Sequence, residues 1–283
     1  MQVKLWGVRG SVPVPGAAAA GFGGNTSCVQ VLTEDGGTLI LDAGTGIREL
    51  SATLKGLPGP IHILVTHLHL DHIVGLGFFE PFFDPGADVT VWGPPDPSET
   101  LPERVSRYIS DPLSPLELRA LPAHVEFADA PTTPWRIGEV TVCAQFVAHR
   151  GPTLGYRLEA DGESLCYLPD HEPAGGYGLR RADESSLSGY DLARDASLLV
   201  HDCQYTDEEY PSHRGWGHSC VTDALEYARR CRARQLVLFH HDPWHDDAQL
   251  EAMWQQAQTQ WADSGAAVPL EMAREGHTIL LTV

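Results

Sequence analysis

Thr66-His67-Leu68-His69-Leu70-Asp71-His72 is the stretch on which the reading of this chain turns. It begins where a run of apolar, β-prone residues, 61–65, ends. In an extended segment alternate side chains share a face, so His67 and His69 project together and both imidazoles can reach one cation. A helical segment expected over 73–79 follows directly, and as the chain turns into it Asp71 and His72 can swing toward a second cation. Four donors cannot complete two sites, because each ion takes roughly four to six and a hydrolytic site keeps one position open. Further donors are therefore expected at other strand ends. His149, Asp170 and His240 each follow an apolar run by a residue or two, at 142–148, 165–169 and 236–239. His241 adjoins His240 and is the alternative last donor, with His240 preferred because the strand before the pair makes it the first to emerge at the rim.

Outward from that motif, strands are expected at 3–8, 27–33 and 38–42, an antiparallel meander whose last turn is Asp35-Gly36-Gly37. Residues 16–24, rich in Gly and Ala, have few large side chains to pack and read as a flexible surface loop. A helix is expected at 47–54 and a strand at 88–92. The Pro-rich 93–122 reads as a helix with long connections. Beyond it come strands at 140–148, 154–160, 164–168, 197–200, 235–239, 268–272 and 278–283, with helices at 221–230 and 247–261. His62 falls in a buried strand and reads as a core residue. Sheet blocks alternate with helices in both halves, with no repeat or linker between them, which predicts one α/β domain over 1–283.

Composition narrows the function. The 283 residues are 42% hydrophobic, enough for a large core. With 38 acidic against 19 basic residues the formal charge is −19, which disfavours extended nucleic acid as a partner. Six cysteines show no C-x-x-C spacing and are expected to be reduced, mostly buried thiols. The first residues lack a basic start followed by an apolar run, and no stretch of about 18 apolar residues occurs, so a cytoplasmic location without a membrane partner is expected.

The H-x-H-x-D-H motif, the later His149, Asp170 after a Tyr-containing strand and His240 after a hydrophobic one resemble the metallo-β-lactamase superfamily. The resemblance spans nearly the whole chain. Trp6-Gly7-Val8-Arg9-Gly10-Ser11, Gly23-Gly24-Asn25-Thr26-Ser27-Cys28, Leu41-Asp42-Ala43-Gly44-Thr45-Gly46 and Trp216-Gly217-His218-Ser219 resemble its phosphodiesterase branch. That branch includes cyclic nucleotide and cyclic ribose phosphate phosphodiesterases and ribonuclease Z. The resemblance implies an αββα sandwich of two mixed sheets flanked by helices. It puts His67, His69 and His149 on one metal, Asp71, His72 and His240 on another, and Asp170 between them. It places His218 near the departing oxygen as proton donor or oxyanion partner, oriented by Asp202, so that Asp71, His218 and Asp202 form the catalytic set.

Two divalent ions are implied, with zinc and manganese suited almost equally by nitrogen and oxygen donors, and iron also fitting. A hydroxide bridging them would attack phosphorus. Asp42 is expected to support the site through hydrogen bonds. Arg9, Asn25, His171 and His241 are candidate substrate contacts, and Glu172 could join them or support the ligands. The reading is a phosphodiesterase acting on a small cyclic nucleotide or cyclic sugar phosphate, with homodimerisation implied by the resemblance. Alternatives are a ribonuclease Z-like endonuclease, supported if Arg104, Arg107, Arg119, Arg180 and Arg181 form a basic face, a thioester or lactone hydrolase, and a metal-binding scaffold or sensor without turnover.

Overall fold

Two seven-stranded mixed sheets pack face to face, and each divides into an antiparallel half and a parallel half. The structure is a computed structural model that describes residues 1–34, 36–54, 59–179 and 182–282. The first sheet contains β1 (Gln2–Gly7), β2 (Cys28–Leu32), β3 (Thr38–Leu41), β4 (Ile61–Leu64), β5 (Asp88–Gly93) and β6 (His124–Asp129) in spatial order. The second runs β7 (Trp135–Ile137), β8 (Val140–Phe146), β9 (Leu154–Ala160), β10 (Glu163–Leu168), β11 (Leu198–Asp202), β12 (Leu236–Phe239) and β13 (Leu270–Met272). The last strand, β14 (Thr278–Leu280), returns to pair antiparallel with β1.

Pairing is antiparallel from β14 to β3 and from β7 to β10, and parallel from β3 to β6 and from β10 to β13. The parallel strands β10, β11 and β12 are buried along their whole length, because helices cover one face and the opposite sheet covers the other. Between the sheets Val3, Leu5, Val31 and Leu41 meet Tyr156, Leu158, Val200 and Phe239. Helices α1 (Ile47–Thr53), α2 (Leu70–Ile73) and α3 (Leu101–Ser106) lie on the outer side of the first sheet. Helices α4 (Tyr190–Ala193), α6 (Val221–Arg230) and α7 (Asp247–Asp263) cover the second, and α5 (Tyr210–His213) precedes α6. Helix α6 buries Val221, Ala224, Leu225 and Ala228, the spacing of a one-sided helix.

Where the parallel strands end, the chain emerges as loops. His67 follows β4, Asp42 follows β3, Asp170 follows β10, Asp202 ends β11 and His240 follows β12. These residues meet at one rim, which is where open parallel sheets place their sites.

Two expectations about local structure are corrected. The helix expected over 73–79 begins earlier, as α2, so Asp71 and His72 stand on its first turn, and a 3-10 turn at Val74–Phe78 replaces the rest. Gly75 sets that break by packing against α1 and the Ala43-Gly44 backbone, where a Cβ would lie 2.2 Å from the Gly44 carbonyl oxygen. Residues 16–24 are not a free loop. Phe22 is buried, the Gly21 and Phe22 amides donate to Asp247, and the Gly23 carbonyl accepts from Arg9. Strands β6 and β7 were not legible, since β6 is a sheet edge of partly exposed, charged residues and β7 has three residues.

His62, expected in the core, is only half-buried, and it accepts a hydrogen bond from Trp92 Nε1. The Asp35-Gly36-Gly37 turn falls partly outside the described residues. All six cysteines are free, five buried and Cys143 half-buried. Among the described residues no helix is long and apolar enough to cross a membrane.

Candidate metal centre

Seven side chains from four chain segments converge into two donor groups that share one carboxylate. His67, His69, His149 and Asp170 form the first, and Asp71, His72, Asp170 and His240 the second, with the potential ligand atoms of each within 4.8 Å of one another. Asp170 is divided between them. Its Oδ2 lies 3.7 Å from His67 Nε2 and 3.6 Å from His149 Nε2, while its Oδ1 lies 3.0 Å from His72 Nε2 and 3.2 Å from His240 Nε2. Asp71 Oδ2 stands 3.3 Å from the Nε2 atoms of both His72 and His240.

The imidazoles are turned by the partners on their other nitrogens. His72 Nδ1–H donates to Asp42 at 2.7 Å, His149 Nδ1–H to the Gly217 carbonyl at 2.8 Å, and His240 Nδ1–H to Gln204 Oε1 at 3.1 Å. His67 Nδ1 meets the Thr66 hydroxyl at 3.0 Å, and that hydroxyl in turn donates to Asp42. Each contact fixes a tautomer that leaves the Nε2 lone pair facing inward. His69 differs, turning its Nδ1 to 3.4 Å from His149 Nε2. Asp42 itself is fully buried and also accepts from the Thr66 amide and the Tyr167 hydroxyl, the supporting role expected from its place at a strand end.

Electrostatics match a cation. His67 Nε2, His72 Nε2 and Asp170 Oδ1 are buried without an aligned hydrogen-bond partner, which is costly unless something else satisfies them. Burial lowers the pKa values of His67, His69 and His149, keeping them neutral as metal ligands must be. For His72 burial acts the same way, but Asp170, Asp71 and Asp42 outweigh it and raise the pKa well above the ordinary value. Burial opposes ionisation of Asp170, yet His240, His72 and His67 hold its pKa far below the usual range. Imidazole and carboxylate donors with this excess of negative charge suit a divalent ion.

Beside the second group stands a third cluster, Asp202, His218 and His240. His218 Nδ1–H donates to Asp202 Oδ2 at 2.6 Å, and its ring stacks on His240 with centroids 5.0 Å apart. Burial depresses its pKa, but Asp202 prevails and pushes it up to about 9. Asp202 also accepts from the amides of His171, Gln204 and Ser219. Buried Glu172 holds the turn that carries His218, accepting from the Gly215 and Gly217 amides and the Tyr210 hydroxyl.

The four candidate substrate contacts are placed otherwise. Arg9 is fully buried, its guanidinium donating to the carbonyls of Gly23, Asp242 and His245. Asn25 is bonded to Glu275 and Thr45. His171 is fully buried and paired with His201, and buried His241 donates to the Ala273 carbonyl, facing away from the donor groups that His240 enters. Each of the four spends at least one polar group on a partner inside the protein, while Arg9 Nη2, His171 Nε2 and His241 Nδ1 are buried without a hydrogen-bond partner.

Three contributors escaped sequence reasoning. They are Gln204, the Ser11 amide, which donates to Asp71 at 2.6 Å, and Gly10, where a Cβ would lie 2.4 Å from the His240 ring. Ser11 and Gly10 lie in a quoted motif whose spacing says nothing about direction, and Gln204 carried no signal.

Two mixed sheets with a His/Asp divalent-metal site at the rim of their parallel strands define a metal-dependent hydrolase of the metallo-β-lactamase fold. The chain belongs to the beta-lactamase superfamily, whose domain model matches residues 38–241. It is 28% identical to the ribonuclease Z of Kineococcus radiotolerans over 279 residues, covering 87% of this chain and 86% of that one. Its fold is similar to human tRNase Z, short form, with a TM-score of 0.68, 21% identity and all of both chains covered. It is also similar to a diphosphatase from the PhnP family, with a TM-score of 0.69, 18% identity, and coverage of 100% of this chain and 98% of that one.

Proposed function

We propose that the protein is a dinuclear phosphodiesterase acting on a small phosphodiester, a cyclic nucleotide or cyclic sugar phosphate. The observation that carries this is the division of Asp170, one oxygen toward each donor group. On this reading His67, His69 and His149 hold one ion, Asp71, His72 and His240 the other, and Asp170 both, with zinc, manganese or iron as occupants. Bound there, divalent ions supply polarisation of a phosphoryl oxygen and a lowered pKa for water.

The chain's own residues do the rest. With Nδ1 held by Asp202, His218 keeps its other ring nitrogen for the substrate. A pKa pushed up to about 9 leaves it protonated at neutral pH, so Nε2–H can pass its proton to the departing alkoxide. A carbonyl substrate with a good leaving group would not need that donor.

The small substrate is favoured by charge. At −19 the chain repels polyanions, and Arg104, Arg107 and Arg119 are each paired with a carboxylate, so they form no free basic face. Arg180 and Arg181 lie outside the described residues. The second reading, endonucleolytic cleavage of a transfer RNA precursor, draws on the relatives named ribonuclease Z.

The test is metal analysis together with hydrolysis of bis-p-nitrophenyl phosphate, cyclic 3′,5′- and 2′,3′-nucleotides, a cyclic ribose phosphate and a precursor transfer RNA. Two ions per chain and turnover of a small diester, lost in His67→Ala, are expected. Two ions without hydrolysis of any substrate would sink the enzymatic reading, and cleavage of the transfer RNA alone would favour the second one.

A further inference from the structure

The turn that carries His218 also carries Trp216, a large aromatic side chain left half-exposed. Its ring does not stand alone. It meets His213 edge-on at 5.0 Å, His213 stacks on Tyr205 at 4.4 Å, and Tyr205 meets His218 at 5.9 Å, so an aromatic row leads from the proton donor to the surface. Arg150 lies across from the indole, its guanidinium carbon 5.7 Å from the ring centroid.

The row is fixed to the first donor group at two points. His149 Nδ1–H donates to the Gly217 carbonyl at 2.8 Å, and Arg150 Nε–H donates to the Gly215 carbonyl at 3.3 Å. Gly217 leaves no slack, since it has φ +94° and a Cβ there would lie 2.5 Å from His149 Nδ1. Arg150 is exposed and forms no ion pair among the described residues, although most arginines of this acidic chain are tied to a carboxylate. A cation without an ion pair and a half-exposed indole are thus held beside the metal ligands, the guanidinium donating to the Gly215 carbonyl and lying over the ring.

We infer that Trp216 and Arg150 form a nucleobase platform, so that the phosphodiester this site takes is a nucleotide and not a bare sugar phosphate. A base stacks on the indole because both present polarisable π-faces, and stacking of this kind carries a substantial share of affinity for unpaired bases. Arg150, which forms no ion pair among the described residues, attracts the phosphate at the edge of the ring. The inference rests on the phosphodiesterase reading but is read out separately from it.

Two measurements test it. Adenosine monophosphate should quench indole fluorescence in the wild type, and the saturable component should disappear in Trp216→Leu and return in Trp216→Phe as retained binding by calorimetry. The ratio of kcat/KM for 2′,3′-cyclic AMP to that for a baseless cyclic ribose phosphate should fall about tenfold in Trp216→Leu, carried by KM, and recover in Trp216→Phe. An unchanged ratio, or equal nucleotide affinity in wild type and Trp216→Leu, overturns the platform even if both diesters are hydrolysed. If no phosphodiester is hydrolysed, the activity reading fails while the nucleotide titration still decides whether the platform exists.

Discussion

The two donor groups that share Asp170 are built to different standards of enclosure. In the first, His69 is exposed while the rings of His67 and His149 are buried, and Asp170 is the single carboxylate. In the second every member is buried, and Asp71 adds another carboxylate. Their supports differ too. The first is oriented by the Thr66 hydroxyl and a backbone carbonyl, the second by Asp42, Gln204 and the Ser11 amide. Two carboxylates in a closed, low-dielectric cage favour a dication more strongly than one carboxylate with three neutral imidazoles, one of them at solvent. On the proposed dinuclear reading, the second group is expected to hold its ion more tightly than the first, with Asp170 shared between them.

The severest way to break that comparison is to remove the shared carboxylate. Asp170→Ala takes an oxygen from both groups at once, so metal content should fall at both and hydrolysis of bis-p-nitrophenyl phosphate by at least ~10³-fold. Elemental analysis with initial rates checks this. A variant that keeps both ions and a tenth of the activity would show that Asp170 does not join the groups.

A smaller effect separates ion holding from proton transfer. His218→Ala leaves the seven donors in place, so both ions should remain while kcat drops by ~10²–10³-fold. The drop should shrink for a diester with a p-nitrophenol leaving group, which needs little protonation. Loss of an ion in His218→Ala would mean that its stacking on His240 is structural and the donor role is wrong.

Much of the donor set was legible in the residues. His67 and His69 could be paired because strand alternation fixes side-chain direction, and Asp170 and His240 could be found because both follow uninterrupted apolar runs. The positions of the strands followed from the same runs, whereas β6 carries too many charged residues to stand out. What stayed hidden depends on backbone geometry at the strand exits. Asp42 and His240 adopt positive φ values of 60° and 64°, which turns His240 toward the donor groups and leaves His241 against Ala273, and no periodicity records such a turn. Arg9 misled for a related reason. It stood as a candidate substrate contact, but its guanidinium donates to three carbonyls in the interior.

The mildest perturbation sharpens the comparison most. Gln204 touches only the second group, and only through His240, whose Nδ1–H it accepts while its own amide donates to Asp242 at 3.0 Å. Gln204→Ala removes no ligand and no charge, so the fold should survive. The freed imidazole loses its fixed tautomer and orientation, a defect that typically weakens a metal site ~10–100-fold. Because Gln204 does not reach His67, His69 or His149, chelator competition followed by metal analysis should show the tighter of two binding steps moving toward the weaker one, with excess metal restoring activity. If instead both steps weaken equally, the groups are coupled through more than Asp170, and the contrast between a closed and an open site has to be abandoned.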